Sequence, residues 1–206
     1  MAEPLHNTDD LIASSWSVHP EFEKLLERMI RWRSTARRWS GEGYRFVEPK
    51  FARRGDGVSG LGAKQFGGRW NPAGLATVYG STSPIGAAAE AFGHFGHYGF
   101  RVDQATPRIV FAFQAKLLRV LDLTHGRTRQ RLRVSEQRML HCEWKRSRRT
   151  GQEQLSQAIG RAAAAAGMHG LLVPSVQSEA PNVVVFPEHL PASCRLTVVN
   201  ADEFDG

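Results

Sequence analysis

Gly67-Gly68-Arg69-Trp70-Asn71-Pro72-Ala73-Gly74 is where a helical rhythm has given way to glycine-rich loops between short strand-like runs. The segment joins a permissive backbone to a planar cation and a large aromatic ring. Glycines let main-chain N–H groups approach a ligand, and a guanidinium such as Arg69 grips phosphate or pyrophosphate bidentately. A tight turn with a surface arginine would use the same residues, so the stretch needs its surroundings.

Upstream, apolar residues Phe22, Leu25, Leu26, Met29 and Ile30 recur at helical spacing, and the spacing predicts a helix over 20–39. The pattern then changes to a strand over 44–47 and a loop over 55–68. Downstream follow a strand over 76–79 and a helix over 84–95, with Ser83 as N-cap and Pro84 in the first turn. β-Branched and aromatic residues predict strands over 108–115 and 118–123. Helices over 135–145 and 152–166 come next, the second alanine-rich and stopped by Gly167. Strands over 170–173, 182–186 and 195–199 complete the β content, and Pro174 and Pro181 bound a loop that carries Ser175. This order lacks strict βαβ alternation and reads as α+β.

The 206 residues suit one domain, with 41% hydrophobic and 23% charged residues excluding a fibrous or wholly disordered chain. No apolar run reaches the roughly 20 residues needed to span a bilayer, and the opening residues lack the pattern of a signal peptide, so the reading is cytoplasmic. Two cysteines, Cys142 and Cys194, make neither a disulfide framework nor a zinc spacing. A net charge of +7 favours an anionic partner, and the basic residues concentrate at 28–54 and 127–149. A solvated helical face is the commoner origin of such stretches.

Two residues near the glycine-rich segment invite chemistry. Tyr79 ends the following strand, and Glu90 sits inside a helix of small and apolar residues, where a carboxylate contributes nothing to packing. An exposed Glu paired with a cation is the alternative. His94 and His97 share that helix with Glu90, but their order is not a zinc-protease motif and a third strong ligand is missing. No metal is expected.

Arg45 within Tyr44-Arg45-Phe46, then Gly67-Gly68-Arg69-Trp70-Asn71 with Gly74, then Val78-Tyr79 and Ala89-Glu90, and finally Gly170-Leu171-Leu172-Val173-Pro174-Ser175 with Asn182-Val183-Val184-Val185-Phe186, resemble the RES domain. The resemblance covers residues 43–190. It implies an ADP-ribosyltransferase-like fold, a central mixed or split β-sheet flanked by helices. It divides the chain into an N-terminal helical extension over 1–42 and a RES domain over 43–206.

The resemblance further implies a toxin that cleaves the nicotinamide–ribose bond of NAD+ by hydrolysis or phosphorolysis, NAD+ being substrate and no cofactor being required. Its partner would be an antitoxin with an Xre-type helix-turn-helix domain, and the assembly allows a homodimer within a toxin–antitoxin complex. Arg45, Glu90 and Ser175 are then the candidate catalytic residues. Arg45, Arg69, Tyr79, Gly68, Trp70 and Asn71 are the candidates for binding NAD+. Bond cleavage passes through an oxocarbenium-like centre, which calls for an anion beside the ribose. Glu90 supplies one, with Ser175 as an orienting group and Ser178 as the alternative serine.

Two other functions compete. The same scaffold can transfer ADP-ribose to a host protein. A basic nucleic-acid-binding module could stack bases on Trp39, Trp70 and Trp144, although no helix-turn-helix, zinc-finger or RRM signature is present and direct nucleic-acid binding is not expected.

Overall fold

A computed structural model describes residues 16–48, 56–97 and 109–199. Its strands are β1 (Arg37–Val47), β2 (Val78–Ser81), β3 (Ile109–Asp122), β4 (Gly170–Val173), β5 (Asn182–Val185) and β6 (Arg195–Val198). The helices are α1 (Phe22–Arg31), α2 (Asp56–Ser59), α3 (Leu61–Phe66), α4 (Pro84–His97), α5 (Gly126–Leu132), α6 (Glu136–Leu140), α7 (Ser147–Thr150) and α8 (Leu155–Ala165). A 3-10 turn at Trp144–Arg146 leads into α7.

β3 runs parallel to β4 while the other pairings are antiparallel, so the sheet is mixed as expected. Hydrogen bonding runs from β1 through β2, β5, β4 and β3 and returns to β1, closing a circuit, with β6 as an outer strand on β3. The pairing of β1 with β2 is tight around one ring. Phe113 is fully buried, and a Cβ on Gly43 or Gly80 would come within 2.2 or 2.7 Å of it. Those two glycines make room for the phenyl where Tyr44 pairs with Ser81.

Strand periodicity divides the core. Leu171, Val184 and Leu121 pack on one side with α1 and α8, while Leu172, Val183, Val185 and Val120 pack on the other with Phe111 and Phe113. Because both faces are covered, β4 and β5 are nearly continuous runs of apolar residues. The α1 helix is bound into this core through Leu25 and Met29.

Several elements differ from the sequence reading. The N-terminal helix stops at Arg31, and Arg37, Arg38 and Trp39 already belong to β1. Arg37 and Trp39 pair with β3, so a partner distant in sequence overrides local helical spacing. The 42/43 boundary thus falls within a strand. The loop over 55–68 contains α2 and α3, and the two strands over 108–115 and 118–123 are one, continuous because β1 pairs along it from Ile109 to Val120. The helix over 135–145 shortens to α6, and α5 was not foreseen. The Gly167 stop holds, with φ at +78° just past α8.

Candidate active site

Glycines in the 67–74 segment serve the loop itself. Gly67 N–H donates to Ala63 O and Gly68 N–H to Asn71 O, so neither is turned to a ligand, contrary to the sequence expectation. Gly68 is required for another reason: a Cβ there would lie 2.6 Å from the Tyr79 hydroxyl. That hydroxyl donates to Asn71 Oδ1 at 2.6 Å and accepts from Trp70 N–H at 2.9 Å. Burial pushes the Tyr79 phenol well above the usual tyrosine range. Its hydrogen bonds therefore hold the loop, while the ring lines a cleft.

Asn71 is fully buried and its amide donates to the carbonyls of Ala63, Pro72 and Leu75. It supports the loop from beneath and does not face the cleft. Trp70 touches the cleft wall, but only 2% of it is exposed and its side chain is part of the core. The ring is withdrawn from base stacking.

The cleft measures about 1360 Å³, larger than the ~300–1,000 Å³ of ordinary small-molecule sites and ample for a dinucleotide. Glu90 reaches it from α4. Its Oε1 accepts from Ser175 Oγ at 2.6 Å and from Asn182 Nδ2 at 2.8 Å. Ser175 Oγ in turn accepts from the N–H groups of Gln177 and Ser178, so its only proton is directed at Glu90. Ser178 Oγ instead donates to Ala180 O, which makes Ser175 the serine at Glu90. Asn182 Oδ1 is buried and receives no hydrogen bond from a described residue.

The two arginines differ. Arg69 donates to Leu140 O at 3.0 Å, and although burial lowers its pKa from the ordinary arginine value, Cys142, Glu90 and Tyr79 oppose that shift. Arg45 is shifted down by burial, has no partner among the described residues, and shares its face of β1 with Val47. Tyr44 and Phe46 take the opposite face, where Phe46 packs edge-on against Phe92 of α4. Arg45 lines the cleft all the same. Both guanidiniums remain cations.

The RES domain model matches residues 35–204. The chain belongs to the RES domain family. A chain of the crystal structure of the M. tuberculosis MbcT–MbcA toxin–antitoxin complex is similar in fold, with a TM-score of 0.63 at 24% identity, over 88% of this chain and 95% of that one. No curated protein matches. The RES match takes in all of β1, whereas α1 lies before it.

Within this RES domain the structure brings together Arg45, Arg69, Tyr79 and Glu90 on the cleft, with Ser175 behind Glu90. Sequence reasoning missed Asn182, although it opens the last strand of the quoted motif and its polarity beside three valines was a signal. It also missed Trp144, Lys145, Arg146 and Arg149 as cleft residues. Their charge was visible, but nothing local shows which way a basic stretch faces. The side chains of His94 and His97 lie outside the described residues. Among described residues no three His, Cys, Asp or Glu side chains cluster as a metal site, and no helix is long and apolar enough to cross a membrane.

Proposed function

We propose that this RES domain protein is the toxin of a toxin–antitoxin system and cleaves the nicotinamide–ribose bond of NAD+ in the cytoplasm. The observation that carries the reading is the state of Glu90. One carboxylate oxygen is fixed by Ser175 and Asn182, and the other receives no hydrogen bond from a described residue, beside a cleft sized for a dinucleotide.

As the C–N bond lengthens, its electron pair leaves with nicotinamide and positive charge builds on the ribose. An oriented anion stabilises that charge without reorganising during the reaction. Asn182 lines the cleft beside Glu90 and, through its Nδ2, holds the carboxylate in place. Arg69, the cation that senses Glu90, and Arg45, desolvated and without a partner among the described residues, suit the two phosphates. The Tyr79 ring offers a face to the nicotinamide or its sugar. Water or inorganic phosphate then captures the ADP-ribosyl centre, and no metal is needed to polarise a leaving group that departs neutral.

The M. tuberculosis neighbour was crystallised as a toxin–antitoxin complex, which supports an antitoxin partner here. That partner is read as an Xre-type helix-turn-helix protein, and a homodimer of the toxin within the complex is compatible with this assignment.

The test is loss of NAD+ by purified protein, with and without inorganic phosphate, against Glu90→Gln. The expected result is consumption by the wild type, slowed about a hundredfold or more in the variant. ADP-ribose as product would name water as acceptor, and ADP-ribose-1''-phosphate would name phosphate. Intact NAD+ with folded, antitoxin-free protein would overturn the reading in favour of transfer to a protein, which labelled NAD+ and mass spectrometry of a treated lysate would reveal.

A further inference from the structure

The wall of the cleft carries cations that a pyrophosphate does not use. Lys145, Arg146 and Arg149 line it, are exposed, and form no ion pair with a described residue. With Arg45 and Arg69 the lining holds five cations against the carboxylates of Glu48, Glu90 and Glu143. Arg45 and Arg69 already match the two phosphates of a dinucleotide. Three further positive charges within five residues repel one another, and a second anion would relieve that repulsion.

A loose solvated face would explain exposed cations, but this segment is fastened to the glycine-rich loop. Gln157 of α8 is fully buried, and its Nε2 donates both to Gly68 O at 2.9 Å and to Ser147 Oγ at 3.0 Å. Ser147, itself fully buried, donates to Trp144 O at 2.6 Å. One amide thus holds the turn bearing Lys145 and Arg146 at a set distance from the loop bearing Arg69. Arg69 adds a second tie through Leu140 O, just before the same segment. The Trp144 ring lies on the cleft within this segment with Lys145 Nζ 5.9 Å from its centroid, so a base stacked on it would sit beside a cation.

We infer that Lys145, Arg146 and Arg149 form a phosphate subsite separate from the pyrophosphate grip, and that the cleft takes a nicotinamide dinucleotide carrying a 2'-phosphate on its adenosine ribose. Adenine stacks against Trp144, and the arginine pair takes the phosphate in the bidentate manner that suits guanidinium. This rests on the proposed dinucleotide-cleaving reading and deepens it by naming the substrate class.

The experiment compares NADP+ and NAD+ as substrates for the wild type, for an Arg146→Ala/Arg149→Ala double variant, and for Arg127→Ala, which removes a charge outside the cleft. Calorimetric titration of both dinucleotides into Glu90→Gln protein, with and without the double substitution, gives the same comparison without turnover. The wild type is expected to use NADP+ at least as well as NAD+. The double variant should lower the NADP+ to NAD+ ratio of kcat/KM, or of affinity, about tenfold or more, and Arg127→Ala should leave it in place.

A ratio that moves less than twofold in the double variant, or wild type that prefers NAD+ by more than tenfold, overturns the subsite while leaving NAD+ cleavage standing. A ratio that falls equally in Arg127→Ala assigns the effect to overall charge and overturns it as well. If neither dinucleotide binds or is consumed, the proposed function itself fails.

Discussion

Two halves of one basic stretch, 127–149, have opposite fates. In the first half Arg129 donates to Leu123 O and Thr124 O and pairs with Glu136 at 2.7 Å. Arg131 lies over the Trp32 ring, and Arg138 bonds Glu21 at the start of α1. These side chains join α5 and α6 to the N-terminal helix. In the second half Lys145, Arg146 and Arg149 bond no described carboxylate and look into the cleft. The difference teaches that charge in a sequence carries no information on use. A guanidinium with its donors filled holds structure, and one with its donors free is available to a ligand.

Four measurements would break or sharpen that contrast, beginning with the largest effect. Gln157→Leu removes the amide that fastens the second half to the glycine loop, leaving Gly68 O and Ser147 Oγ buried without it. The expected loss is on the order of 3 kcal/mol by urea unfolding, from two buried groups at ~1–3 kcal/mol each. No loss would mean the second half is a loose face after all.

Arg129→Met should destabilise by about 2 kcal/mol, because two carbonyls and Glu136 lose a charged donor, while dinucleotide turnover persists. If stability held and turnover fell instead, the contrast between the halves would be reversed.

Arg119, outside that stretch, is set beside His169. Burial first, and then the neighbouring Arg119 and His189, hold the His169 pKa below its ordinary 6.5. Arg119 lies 3.4 Å from Nε2, and the N–H groups of Leu118 and Arg119 donate to Nδ1. The folded state thus binds this proton less readily than the unfolded chain. The stabilisation is complete above pH 6.5 and is lost as pH falls below it. The urea midpoint should fall with acidification in that window, and His169→Gln should flatten the fall. An unchanged slope would remove His169 from the account.

The smallest effect on folding is expected for Arg146→Ala/Arg149→Ala, whose melting should stay within about 0.5 kcal/mol of wild type. A larger drop would place these arginines among the structural ones.

Much of the fold was legible because it is local. Pro84 and the alanines that follow it announce α4, Gly167 ends α8, and the apolar runs at Gly170–Val173 and Asn182–Val185 are strands buried on both faces. The start of β1 was not, since Arg37 to Trp39 continue a helical spacing and become strand only by pairing with β3. In the site, Glu90 stood out as a carboxylate among small residues, and Ser175 as polar between prolines. Asn71 and the glycine N–H groups misled, because polar atoms in a tight loop are satisfied first by the loop's own backbone.

By itself the sequence determined the α+β class, the RES motif order and the residues able to do chemistry, since these rest on periodicity, turn chemistry and side-chain type. Only the tertiary structure decided that Ser175 and Asn182 meet Glu90 and that Ser178 does not. It also decided that Asn71 and Trp70 lie inside the wall, and that three cations from beyond the motif complete the cleft. The physical reason is that contacts across 85 or 92 residues of chain depend on how α4, α8 and the closed sheet pack together. No local pattern encodes which donors that packing leaves free.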